Sequence, residues 1–284
     1  MPLVKMKEIL DQAEAGNYGV GAFSVANMEM VMAAVQAAEE LQSPLILQIA
    51  EVRLKHSPLH LIGPVMVEAA KKAAVPVAVH FDHGITEEKI REALEIGFSS
   101  IMYDGSHHPL EDNIAETKKM AAIACEYGAT VEAEIGQVGG SEDGSVDIDI
   151  LITSVEEAKR FADETNIDAL AVAIGNAHGF YKGDPNLRVD RLEEINNEVD
   201  TPLVLHGGSG LTEEDFRTCI HLGIRKINVA TATFNHVVSS VNEDAPFNDY
   251  FTYHERVIEA ACENVKRHMR MFDSAGRVKE EHHV

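Results

Sequence analysis

Short apolar or β-branched runs alternate eight times with longer stretches of helical period, and few folds accommodate that rhythm. The first pair is Tyr18 to Val25 with Met28 to Leu41, the second Pro44 to Ala50 with Leu59 to Ala74. Val77 to Asp82 precedes Thr86 to Ile96, where Thr-Glu-Glu supplies an N-cap and an acidic first turn. Ser99 to Asp104 precedes Leu110 to Tyr127. The fifth strand, Thr130 to Glu134, is separated from its helix at Ser154 to Thr165 by a Gly/Asp-rich stretch, Gly136 to Asp149. Ala169 to Ile174 leads through the loop Gly175 to Leu187 to a helix near Val189 to Glu198. The last pairs are Leu203 to His206 with Thr212 to Leu222, and Lys226 to Ala230 with helical sequence beyond. This alternation predicts an α/β fold: a (β/α)8 TIM barrel as a single domain over residues 1–278, with a solvated tail at 279–284. The competing doubly wound sheet usually has fewer strands and opens on a Gly-rich turn; here Gly19-Val20-Gly21 lies inside the first strand.

Charge narrows the partners. Asp and Glu number 47 against 24 Lys and Arg, a formal net charge of −23, which repels a phosphate backbone and argues against nucleic acid. An anionic small molecule then needs a local positive centre. No apolar run is long enough to span a membrane, and the start MPLVKMKEIL lacks the pattern of a signal peptide. Cys125, Cys219 and Cys262 stand far apart with no CxxC, as reduced thiols do. The expectation is a soluble, cytoplasmic protein.

Barrel chemistry sits on the loops that follow the carboxyl ends of the strands. Asp82-His83-Gly84, Asp104-Gly105-Ser106-His107-His108, Glu132-Ala133-Glu134, Gly175-Asn176-Ala177-His178-Gly179, His206-Gly207-Gly208-Ser209-Gly210 and Asn228-Val229-Ala230-Thr231 fall there. Three neutral imidazoles from separate strands, His83, His178 and His206, can hold Zn2+ with one coordination position open. The ion then keeps its full charge for an anionic ligand. Taken singly, each histidine also reads as a satisfied polar residue at a strand end, and His107 and His108 read more readily as loop caps. After strands seven and eight, where barrels often seat a phosphate, Gly207 and Gly208 let backbone N–H groups approach, and Ser209 and Thr231 offer hydroxyls. Lys182 in GFYKGD can add a charge there or remain a solvated lysine. The acidic loop Gly139 to Gly144 is longer than an ordinary connection: a lid carrying a catalytic group, or a solvated charge run.

VHFDHG, DGSHH, VEAEIG, the GGSED loop, AVAIGNAHGFYKG, PLVLHGGSG and KINVAT, in this order from about Met1 to Arg277, resemble the class II, zinc-dependent fructose- and tagatose-bisphosphate aldolases. The resemblance implies that His83, His178 and His206 bind the catalytic zinc, a site that Co2+ or Fe2+ can also occupy. It makes Asp82 the acid/base for the C4 hydroxyl, Asp104 and Glu134 a second or alternate zinc site, and Glu142 the loop glutamate exchanging a proton at C3. It places dihydroxyacetone phosphate against Gly179, Gly207, Gly208, Ser209, Asn228, Val229, Ala230 and Thr231, with a monovalent cation (Na+ or K+) beside the phosphate. Family members are homodimers or homotetramers. Such chemistry needs a base and an electron sink but no lysine Schiff base.

The match is weaker on the aldehyde side. Ser24 stands where shorter family members carry Asn, although Asn27 is retained; Glu51 and Arg53 replace small or hydroxylated residues; Asp273-Ser274 replaces Gly-Ser, while Arg277 matches a basic residue tied to the distal phosphate. The expected reaction is reversible cleavage of fructose 1,6-bisphosphate or tagatose 1,6-bisphosphate to dihydroxyacetone phosphate and glyceraldehyde 3-phosphate. The alternatives are a class II aldolase using another aldehyde and a metal-dependent sugar-phosphate isomerase or epimerase. A non-catalytic relic would tend to have lost Asp82 or a zinc histidine, and this chain has all four.

Overall fold

A computed structural model describes residues 2–140, 150–179, 181 and 185–278. The tail at 279–284, Glu142 and Lys182 lie outside the described residues. Eight parallel strands close into a barrel in chain order: β1 Val20–Ser24, β2 Leu45–Ala50, β3 Val77–Gly84, β4 Ser100–Tyr103, β5 Thr130–Ile135, β6 Ala169–Val172, β7 Leu203–Leu205 and β8 Ile224–Val229. A first helix, α1 (Met6–Gly16), precedes β1; the sequence reading contained no helix there. The strands then alternate with α2 (Met28–Leu41), α3 (Leu59–Lys72), α4 (Glu87–Ile96), α5 (Leu110–Glu126), α6 (Val155–Thr165), α7 (Val189–Glu198) and α8 (Glu213–His221). The helical sequence after β8 resolves into α9 (Thr231–Asp244) and α10 (Tyr250–Met271). Among the described residues no helix is long and apolar enough to cross a membrane.

Local chemistry sets the helix ends. The Thr86 hydroxyl accepts from the Lys89 amide to start α4, and Gly97, at φ 108°, turns the chain out of it. Thr212 and Asp215 form a capping box on α8.

Strand alternation divides the barrel's side chains into two sets. Val79, Phe81, Ile101, Val131, Leu170, Leu205 and Ile227 face outward into the main core beneath the helices. Val20, Ala22, Ile46, Ala78, Ala169, Ala171 and Val204 fill the lower interior. The barrel is plugged from below by Met6, Ile9, Leu10 and Ala13, which share one face of α1 at helical spacing. Above this apolar floor the interior turns polar, with Gln48, His80, Asp82, Glu132, Lys226 and Asn228 all buried.

Candidate active site

The mouth is organised around a break in β3. In a regular strand Asp82 and His83 would point to opposite faces. Here the pairing of β3 with β4 shifts register between Phe81 and Gly84, and His83 adopts φ 44°, in the left-handed region. Asp82 stays inside the barrel while His83 also turns to the mouth. For a non-glycine residue that conformation costs about 1–3 kcal/mol, a cost usually met at functional sites.

Three imidazoles converge there: His83 from β3, His178 from the loop after β6 and His206 just past β7. Their ring centroids lie 4.7 Å (His83 to His206), 5.0 Å (His83 to His178) and 5.9 Å (His178 to His206) apart. One nitrogen from each lies within 4.8 Å of the others, and His83 Nε2 faces His206 Nδ1 at 3.0 Å. The outer nitrogens of two rings are held by carboxylates. Asp104 Oδ2 is 2.7 Å from His83 Nδ1, and Glu132 Oε1 is 2.9 Å from His206 Nε2. Carboxylates so placed fix the tautomer and direct the inner nitrogens toward a shared ligand.

The donor set fits a divalent cation such as Zn2+. Glu134 Oε2 is buried 3.5 Å from His206 Nδ1 and has no hydrogen bond among the described residues, an acceptor that a cation would satisfy. Burial and the nearby Asp104 push the Glu134 carboxyl up to about 8. Burial opposes ionisation of Asp104 too, but hydrogen bonds with His83 and Ser106 outweigh it and hold that carboxyl below the usual range. His83, Asp104 and Glu134 form a second group with ligand atoms at metal-binding spacing.

Asp82 is fully buried beside this cluster. Gln48 Nε2 donates to its Oδ2 and Asn228 Nδ2 to its Oδ1, each at 3.1 Å. Gln48 also donates to Ser24 Oγ at 3.1 Å, so Ser24 belongs to the same buried network.

On the opposite side of the mouth, Gly207 adopts φ 68°, and a Cβ at that position would collide with the Ala177 carbonyl oxygen. Ser209 Oγ accepts from the Ala232 amide at 2.9 Å, tying the β7 loop to the first turn of α9, whose N-cap Ala230 has no side-chain capping bond. Asn228, Val229 and Ala230 lead directly into that helix, which starts at Thr231. A helix N-terminus beside a glycine turn suits an anion. Gly179, at φ 76°, has no atom of the described residues within 4 Å of where a Cβ would stand.

Other expected residues lie elsewhere or have other partners. Asn27 sits beyond β1, and its side chain caps α2 by accepting from the Met30 amide at 3.0 Å. Arg277 is not brought to the mouth. It pairs with Asp273 and stacks on Tyr18, its guanidinium 5.0 Å from that ring's centroid. Neighbouring Gly276 and Val278 donate to the carbonyls of Leu41 and Gln42, where the chain enters β2 at the barrel's amino end. His107 and His108 are exposed and lie against each other. Glu51 accepts from the amides of Ile85 and Thr86 and from the Thr86 hydroxyl, so its charge is bound to the β3–α4 loop. The Arg53 guanidinium lies 5.5 Å from the centre of the Phe234 ring, in the first turn of α9.

Sequence reasoning missed His80, Gln48 and Lys226 and left Glu132 without a role. A signal was present. Lys226 and Asn228, like Glu132 and Glu134, sit two apart within strand runs and so share the interior face, where a charge requires a partner.

A closed parallel barrel with a carboxylate beside three converging imidazoles is a barrel with a candidate metal site at its mouth. The family profile described as fructose-bisphosphate aldolase class-II matches residues 4–277. A 6-phospho-5-dehydro-2-deoxy-D-gluconate aldolase of Halalkalibacterium halodurans is 40% identical over 289 residues, covering 99% of both chains. A fructose-bisphosphate aldolase of Staphylococcus aureus is 40% identical over 286 residues, covering 98% of this chain and 100% of its own. The crystal structure of the YdjI aldolase from Escherichia coli K12 superposes with a TM-score of 0.88 at 33% identity, covering 98% and 100%. The chain belongs to the class II fructose-bisphosphate aldolase family, and it is a carbon–carbon lyase.

Proposed function

We propose that this chain is a zinc-dependent aldolase cleaving a ketose phosphate into dihydroxyacetone phosphate and an aldehyde. The observation that carries this reading is the adjacency in β3 of Asp82, held by two amide donors, and His83, one of three converging imidazoles. Zn2+ bound among His83, His178 and His206 supplies a Lewis acid for the ketone half of the substrate, and Co2+ or Fe2+ can replace it.

The chain's own groups do the rest. Asp82, an acceptor toward both amides, takes the proton from the C4 hydroxyl. The C3–C4 bond then breaks, C4 becomes the aldehyde carbonyl, and the bonding pair passes into the ketone half. Glu142 returns a proton to C3; the pairing of Gly139 with Ala177 supports this assignment, because it carries the chain past His178 just before that residue. The phosphate of the ketone half rests on the Gly207–Ser209 turn, Gly179 and the Asn228–Thr231 segment, with Lys182 and a monovalent cation (Na+ or K+) adding positive charge. Asp104 and Glu134 offer an alternate metal position. We assign a cytoplasmic homodimer or homotetramer, in keeping with three free cysteines.

Fructose 1,6-bisphosphate and tagatose 1,6-bisphosphate are the first substrates of this reading. A second is favoured by the aldehyde side: Glu51 is tied back to a loop, Arg53 packs against α9 and Arg277 lies at the far end. A shorter aldehyde ending in a carboxylate, as cleavage of 6-phospho-5-dehydro-2-deoxy-D-gluconate releases, suits such a mouth. A coupled assay for dihydroxyacetone phosphate across these three substrates, on zinc-reconstituted protein with and without chelator, tests the proposal. We expect chelator-sensitive triose phosphate release from at least one. Isomerisation without triose phosphate would reassign the chain to the isomerases.

A further inference from the structure

Lys226 is an unusual occupant of a barrel interior: its side chain is fully buried, and the mechanism above gives it no task. Its ammonium holds two groups at once. Nζ lies 2.9 Å from Glu132 Oε2 and 3.2 Å from Oε1, and it donates to Asn228 Oδ1 at 2.6 Å. Each partner reaches one half of the active site. Glu132 Oε1 accepts from His206 Nε2 at 2.9 Å, which leaves the lone pair on Nδ1, the nitrogen that faces His83. Asn228 has its carbonyl oxygen on the ammonium, so its NH2 can only face the other way, where it donates to Asp82 Oδ1 at 3.1 Å.

We propose that Lys226 is a positioning residue that sets the metal-binding imidazole of His206 and the base Asp82 in register with one another. It acts through Glu132 on one side and Asn228 on the other. The proposal rests on the aldolase reading for the role of Asp82 but not for the metal arm. The bland account is that Lys226 only neutralises a buried carboxylate. That account explains the contact with Glu132, but not why the same ammonium fixes the direction of the Asn228 amide.

The test uses full-length Lys226→Met and the double variant Lys226→Met/Glu132→Gln. The double variant removes both members of the buried Lys226–Glu132 ion pair together, and the side-chain carbonyl of the introduced glutamine can still accept from His206. Folding is followed by circular dichroism, Co2+ affinity and visible spectrum by titration, and kcat and KM by triose phosphate release. In Lys226→Met we expect Co2+ affinity to fall by about 10- to 100-fold with an altered Co2+ spectrum, the scale for losing an outer-shell partner. In the double variant Co2+ affinity returns to within a few-fold of wild type. Its kcat stays at least about tenfold low with KM nearly unchanged, because nothing orients Asn228 toward Asp82. If Lys226→Met does not fold, the double variant alone decides.

A folded double variant with wild-type kcat overturns the proposal, as does a folded Lys226→Met with wild-type Co2+ affinity, spectrum and kcat. Should wild-type protein release no triose phosphate from any ketose phosphate, the aldolase reading fails instead. The Co2+ measurements then still decide the His206 arm.

Discussion

The lower and upper halves of the barrel interior are made from the same strands, yet they obey opposite chemistry. Below, Ala22, Ile46, Ala78 and Val204 pack against the apolar face of α1. Two residues further along the same faces stand Ser24, Gln48, His80 and His206, then Asp82 beyond His80. The floor closes chiefly by apolar burial, and its two hydroxyls are met locally: Ser100 by His80 Nδ1 at 2.8 Å and Thr130 by the Lys7 amide at 3.3 Å. The mouth holds buried carboxylates, a buried ammonium and imidazoles, held by partners in reach except at Glu134 Oε2. Stability is concentrated in one half and chemistry in the other, so substitutions in the two should have separable consequences.

The largest effect is expected from His206→Ala, which removes the imidazole that Glu132 orients. Metal analysis should show the tight metal lost and cleavage abolished. Asp82→Ala should keep its metal and lose about 10^2- to 10^4-fold in kcat, the range for a displaced general base. Wild-type turnover in that variant would remove Asp82 from its role. On the floor the pattern inverts. Ile46→Ala should cost about 2–5 kcal/mol in urea unfolding while leaving metal affinity unchanged. A floor substitution that changed the metal site instead would break the separation.

Burial of a polar group is not by itself a mark of chemistry, and α10 supplies the control. His268 lies among Phe23, Phe216 and Phe272, outside the barrel, with Nδ1 2.9 Å from the Asn264 carbonyl oxygen. Burial pushes its pKa down to about 4. Because the unfolded chain binds this proton near pH 6.5, the neutral ring's contribution is intact above that pH. It falls away as pH drops toward 4, by on the order of 3 kcal/mol. Unfolding of metal-free protein from pH 7 to 4 should show this slope, and His268→Phe should flatten it. The smallest effect belongs to Arg277→Ala. Its place at the far end of the barrel predicts a kcat/KM for fructose 1,6-bisphosphate within about twofold of wild type.

Much of this contrast can be read in the sequence. The eight strands announce themselves because each run is short, apolar and bounded by turn residues, and His83, His178 and His206 fall at strand ends where a barrel exposes them. The left-handed backbone at His83 leaves no trace, since only glycine advertises such a conformation. The spacing of Met6, Ile9, Leu10 and Ala13 does mark α1, but the strand periodicity downstream is the stronger signal and hides it. Lys226 and Glu132 are neighbours only after the barrel closes, 94 residues apart in the chain. The position of Arg277 near the C-terminus says nothing of which end of the barrel it joins. Motif order suggests a phosphate ligand there, and the return of the chain to Leu41 and Gln42 places it on the opposite side.

X-ray absorption at the zinc edge of the reconstituted protein tests the central arrangement most directly. Three imidazole nitrogens should surround the ion at about 2.0–2.1 Å, with one position left to an oxygen ligand. A first shell without imidazole, or the same spectrum after His83 and His206 are both replaced by alanine, would contradict the account.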